Sequence, residues 1–159
     1  MAPDILVATI IKDYMTLPQE RIWLYNQRVD APKDNGLYVI VSLRGQNIVG
    51  ASSKIDSEDK ETSGVVVSAS VDVDVVSKSR AAVERVNEVV IALGSTAAQN
   101  LMEQEGARVF RAGNILDLSA IEAAASLHRY RVSVSVHYTQ AVKRAVEPFE
   151  HFPQEVESE

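Results

Sequence analysis

The stretch Val65-Val-Val-Ser-Ala-Ser-Val-Asp-Val-Asp-Val-Val76 decides the fold. Val65, Val67, Ala69, Val71, Val73 and Val75 alternate with Ser68, Ser70, Asp72 and Asp74. Successive side chains of a strand point to opposite faces, so this period of two predicts a strand with one apolar and one polar face. Directly after it, Ala82, Val83, Val86, Val89, Val90 and Leu93 recur at helical spacing. Ser77 or Ser79 can cap that helix and Gly94 end it. A half-buried strand feeding an amphipathic helix means the two bury their apolar surfaces together.

Working outward, Tyr130, Val132, Val134, Val136 and Tyr138 alternate with Arg129, Arg131, Ser133, Ser135 and His137, the clearest second strand. Leu37 to Leu43 reads as a strand apolar on both faces. Before it, Leu6, Val7, Ile10, Ile11 and Tyr14 form one helical stripe, with Asp4 as N-cap and Leu17-Pro18 as stop. Glu20 to Arg28 reads as an extended aromatic segment, followed by a turn at Asn35-Gly36. Thr96-Ala-Ala-Gln99 fits a capping box for a short helix closing at Gly106. Arg108 to Leu118 reads as a strand broken at Gly113-Asn114, and Ser119 to Glu122 as one helical turn. The class is therefore α+β, with a mainly antiparallel (mixed) sheet of about four to five strands flanked by two to three helices. Gly45 to Gly64 is the one long polar stretch and reads as a mobile arm between two strands.

With 159 residues, 46% hydrophobic and 24% charged, the chain is expected to be one ordinary globular domain, spanning residues 1–153 with an acidic tail at 154–159. No apolar run reaches the length of a membrane span. The start, Met1-Ala2-Pro3-Asp4, has no secretory leader pattern, so a protein made and kept in a cytoplasm is expected. The absence of cysteine removes disulfides, thiolate metal sites and cysteine nucleophiles. The net charge of −6 divides unevenly: the stretch from Glu147 to Glu159 holds five of the 22 acids and none of the 16 bases. The remaining body, 16 bases against 17 acids, is near neutral and lacks the basic footprint of tight nucleic-acid binding.

The search for chemistry returns little. Gly45 to Ser52 has the glycine spacing of a phosphate loop, but Ala51 stands where the cation is needed. Asp72 and Asp74 share a strand side, roughly 6–7 Å apart, yet no other acid–base partner accompanies them. The Arg129 and Arg131 pair has the same spacing, which suggests neighbouring strands with the two pairs facing each other. His128, His137 and His151 have no metal-ligand spacing, and no nucleophile elbow exists. No catalytic residue, metal ligand or cofactor is expected, and the reading is not an enzyme. Trp23 and Tyr25 are candidate interface anchors.

The order of these elements resembles the phage tail terminator and neck terminator family. A first amphipathic helix, an aromatic segment ending in Asn26-Gln27, a long hairpin arm, Val71-Asp-Val-Asp-Val75 running into a helix, and Arg129-Tyr-Arg131 opening an alternating strand carry the likeness. It extends over residues 4 to 153, to Pro148-Phe-Glu-His-Phe-Pro153, while the acidic end lies beyond it. The resemblance implies a structural virion protein of the tail and neck, assembled in the host cytoplasm. Such proteins form a ring, a hexamer, that caps the tail tube, stops its polymerisation and offers a head-joining surface while DNA passes without specific binding. Implied partners are further copies of itself, the tail tube protein and a head-side connector or collar protein, with no membrane and no cofactor. On that reading Arg44, Gln46, Ile48, Lys54, Ile55 and Lys60 are candidate arm contacts to the next subunit or the tube. Asp56, Glu58, Asp59 and Glu61, or Asp72 and Asp74, would supply negative surface near the lumen, with Arg129 and Arg131 as strand-face charges. The alternatives are another neck component, a head-closure or tail-completion protein, or a cytoplasmic dimeric binding domain with a pocket of Trp23, Tyr25 and Tyr38.

Overall fold

A computed structural model describes residues 1–27, 30–56, 60–119 and 127–145. The elements run α1 (Pro3–Met15), a 3-10 turn (Gln19–Arg21), β1 (Ile22–Leu24), β2 (Tyr38–Ile55), β3 (Lys60–Ser77), α2 (Ala81–Leu93), α3 (Thr96–Gln104), β4 (Ala107–Arg111), β5 (Leu116–Asp117) and β6 (His128–Ala145). The six strands form one mixed sheet in the order β1-β2-β3-β6-β4, with β5 pairing separately along β6. Only β1 and β2 run parallel; the other pairs are antiparallel. The class is α+β as expected, with six strands among the described residues where four to five were anticipated.

The period-two pattern of β3 sets the layers. Val67, Ala69, Val71, Val73 and Val75 are buried on the face covered by the helices, with Val39 and Val41 of β2 and Val132, Val134 and Val136 of β6 alongside. Leu6, Val7, Ile10 and Ile11 of α1 and Ala82, Val86, Val89 and Leu93 of α2 complete this core. In β2 only one face is fully buried: Tyr38 and Ile40 lie half-exposed on the face that no described helix covers, and Leu43, on the same face as Val39 and Val41, is exposed where the strand leaves the body.

The helix ends differ from the sequence reading in instructive ways. Helix α1 starts two residues earlier, with Pro3 in its first turn; Asp4 instead accepts from the Ile5 N–H at 3.0 Å. Proline suits that place because the first N–H groups of a helix have no partner within it. Thr16 closes α1 in the left-handed region, φ 53°. At α2 both expected serines act: the buried Ser77 Oγ accepts from the Ala82 N–H at 2.9 Å and Ser79 Oγ from the Ala81 N–H at 3.3 Å. Ser95, not Thr96, caps α3 by accepting from the Ala98 N–H at 3.2 Å. Among its described residues the aromatic segment holds three in a strand, Ile22–Leu24. The turn before β2 is held by an ion pair from Arg21 to Asp34, and Asp34 also accepts from the Gly36 N–H at 2.9 Å. The arginine hydrogen bond, then that backbone bond, bring the Asp34 carboxyl down to about 2. The helical turn expected at Ser119 to Glu122 lies, beyond Ser119, outside the described residues, as do His151 and the acidic end.

Candidate assembly surface

In the polar stretch from Gly45 to Gly64, residues 45–55 and 60–64 are strand rather than loop. β2 and β3 stay paired from Tyr38↔Val76 to Ile55↔Glu61, with bulges between Leu43 and Gly45 and between Ile48 and Gly50. Asp56 closes the visible end, its N–H donating to the Lys60 carbonyl at 2.9 Å and its side chain accepting from the Lys60 N–H at 3.0 Å. Within β2 the Gly45–Ser52 backbone is extended, so it forms no concave nest of N–H groups for a phosphate. Sequence reasoning missed the third member of the arm. β6 continues past Tyr138 to Ala145 and pairs β3 throughout, ending at Lys60↔Ala145. Thr139-Gln-Ala-Val-Lys-Arg-Ala145 carries little alternation because neither face is buried there, so periodicity offered no signal.

The arm is thus a three-stranded sheet reaching beyond the helices. Ile48 is 69% exposed, Ile55 61% and Val142 51%. Lys54 lies on β2 level with Thr62 and, beyond it, Lys143, which pairs with Asp56 at 3.0 Å. Gln46 lies nearer the body, where its Oε1 accepts from the Tyr138 hydroxyl at 3.4 Å. Lys60 sits at the turn. Its neighbour Glu61 bonds the hydroxyls of Ser53 and Ser63, which holds its carboxyl below the ordinary value. Glu58 and Asp59 fall outside the described residues.

Below the arm, the sheet face opposite the described helices carries a ladder of charges. Asp74 and Arg131 are direct partners in the β3/β6 register, and Asp72 stands opposite Ser133. Arg131 grips Asp74 at 2.7 and 2.9 Å, and Arg129 reaches the same carboxylate at 2.6 and 3.2 Å. Asp72 accepts from Arg44 at 2.9 Å and Ser133 at 2.7 Å, with Arg131 3.5 Å away. The structure therefore brings the four strand charges together and adds Arg44, an assigned arm residue. Asp74 is only 1% exposed. Burial opposes its ionisation, yet the guanidinium hydrogen bonds of Arg131 and Arg129 prevail and hold the carboxyl below its usual range. Three arginines against two aspartates balance the charge here, so Asp72 and Asp74 are paired within the subunit. Arg129 and Arg131 of β6 are the pair expected to face these aspartates, and Arg44 joins them from β2.

Trp23 stacks on Tyr38, ring centroids 4.9 Å apart, and its indole N–H donates to the Glu20 carbonyl at 2.9 Å. That contact fills the space a pocket between the two rings would need. Tyr25 is 70% exposed, with the Arg44 guanidinium 5.8 Å from its ring centre. Both aromatics therefore flank the outer edge of β2. His137 meets Phe110 edge to face at 5.3 Å. Among the described residues no cluster of metal-ligating side chains occurs, and no helix is long and apolar enough to cross a membrane.

Comparison with known proteins adds two findings. The family model described as "Phage neck terminator protein" matches residues 6–158. No curated protein matches the sequence. Among solved structures, the chain is similar to the sheath/tube terminator of the extracellular contractile injection system PVC in its extended state, at 15% identity and TM-score 0.46. That likeness covers 100% of this chain and 65% of the other, so the chain spans less than two-thirds of that neighbour's length.

Proposed function

The chain belongs to the phage neck terminator family, and from that premise we propose that it assembles into a hexameric ring on the end of the tail tube. Membership carries a structural, tail-terminating role. In our reading the ring stops tube polymerisation and presents its other face to a head-side connector or collar protein, and the genome passes through it. The observation that carries this reading is the family match itself, which runs through the arm as well as the helix-backed body. Two physical features support it. A closed ring needs heterologous contacts between two different faces of each subunit, and the protruding arm and the β2 edge with Tyr25 are two such faces. The body's near-neutral charge, and the pairing of Asp72 and Asp74 with arginines, suit a wall past which DNA slides.

A strongly basic channel in an assembled particle would count against passage without binding. The oligomer is tested by native mass with negative-stain imaging. Six copies of a 17.4 kDa chain give about 104 kDa in ring-shaped particles. Compact dimers of globular outline would contradict the ring and favour the dimeric binding domain.

A further inference from the structure

We propose that neighbouring copies of this chain join by adding the β6 edge of one arm to the β2 edge of the next, at residues 139–144 and 50–55. The inference rests on the ring reading and names the contact that closes it. A strand edge exposes a row of N–H and C=O groups that template pairing with another chain, and natural edges are blunted by proline, bulges or cover. In the arm two such edges stand bare among the described residues. On one side β1 pairs β2 only through Val41, so no described strand lies along the outer edge of Gly50–Ile55. On the other, β4 pairs β6 only as far as Tyr138, leaving Thr139–Ala145.

Three features match these edges to each other. They are level: through β3, Gly50 stands opposite Val66 and Val66 opposite Thr139, and Ile55 opposite Glu61 and Glu61 opposite Arg144. They run in the same direction, since β2 and β6 are both antiparallel to β3. Repetition about an axis alongside the arm therefore sets one edge beside the other in parallel register. Neither six-residue edge contains a proline or a bulge, because both bulges of β2 lie before Ala51. The edges differ in sequence, so the contact is head-to-tail, and a repeated head-to-tail contact that closes makes a ring. Apolar groups accompany the backbone: Ile55, Ala51 and Val142 are exposed on the face that continues the helix-covered side of the sheet. Strand addition draws its affinity from such main-chain bonds, with flanking side chains giving specificity.

The chain has no cysteine, which allows a clean test by cross-linking. The double variant Ser52→Cys with Ala141→Cys is oxidised in assembled protein and run without reductant. Within one subunit these positions are separated by β3 at Gly64, roughly 10 Å by strand spacing, beyond the ~7 Å Cα limit of a disulfide. Any bond is therefore between copies. The proposal expects a ladder of cross-linked species ending at the ring, with neither single variant giving more than trace dimer. Rings of full native mass without a ladder would overturn the edge pairing and leave the ring reading intact. Strong dimer from Ser52→Cys alone would overturn it in favour of a two-fold β2–β2 contact. Monomers at every concentration, by native mass, would overturn both.

Discussion

Replacing Asp74 by alanine is expected to destabilise the fold by about 3 kcal/mol, read from urea unfolding at fixed protomer concentration. The carboxylate is buried and accepts four hydrogen bonds from Arg129 and Arg131, so its loss removes the main acceptor of two cations held against the sheet. Breaking a buried pair costs about 3–5 kcal/mol; the lower end applies because both arginines keep some contact with water. Combining Asp74→Ala with Arg131→Ala should cost less than the sum of the two by about 1 kcal/mol or more. Reversing charge at Asp72 and Asp74 should likewise be partly rescued by reversal at Arg129 and Arg131. Strict additivity would dismiss the ladder as a set of independent surface contacts. The pH dependence has a defined sign. The folded Asp74 carboxyl lies below its unfolded value, so its contribution is complete above about pH 4 and fades as the pH falls through the folded value. The Asp74→Ala protein should lack that part of the acid sensitivity.

Shortening the arm should separate folding from assembly. Residues 50–65 are replaced by Asn-Gly, a pair suited to a two-residue hairpin turn. None of the removed residues belongs to the buried core, which begins on β3 at Val67. Stability should therefore change by no more than about 1 kcal/mol, in the range of surface changes. Ring formation and tail termination should be lost altogether. A milder pair, Ile48→Asp with Ile55→Asp, should act in the same direction, because both side chains are exposed and hold nothing in the isolated chain. An arm-less protein that still forms rings would move the subunit contact to the body. One that cannot fold would make the arm part of the fold.

Much of this architecture is legible in the valine pattern of β3 and β6, because each strand has one buried face and period two records it. The facing of Asp72 and Asp74 by Arg129 and Arg131 could be guessed from equal spacing, and the β3/β6 register brings them together. What the sequence hides is that the arm is built of strands and that β6 joins it. Over residues 50–55, 60–64 and 139–145 both strand faces meet water, so no burial imposes alternation and a polar strand reads like a loop. Cap positions slipped by a residue or two for a related reason: Ser95 and Thr96 are both good caps, and only the backbone chooses between them. The part of Arg44 in this ladder was not legible, because nothing in its local sequence announces an aspartate on the neighbouring strand.

The central claim is that this chain ends tail tubes, and tube length measures it directly. Tail tube protein is polymerised with and without the purified chain, and the products are imaged by electron microscopy. The account predicts short tubes that cease to elongate and carry ring density at one end, an effect the arm-shortened protein lacks. Tubes that keep growing at saturating protein, with bare ends, would contradict it.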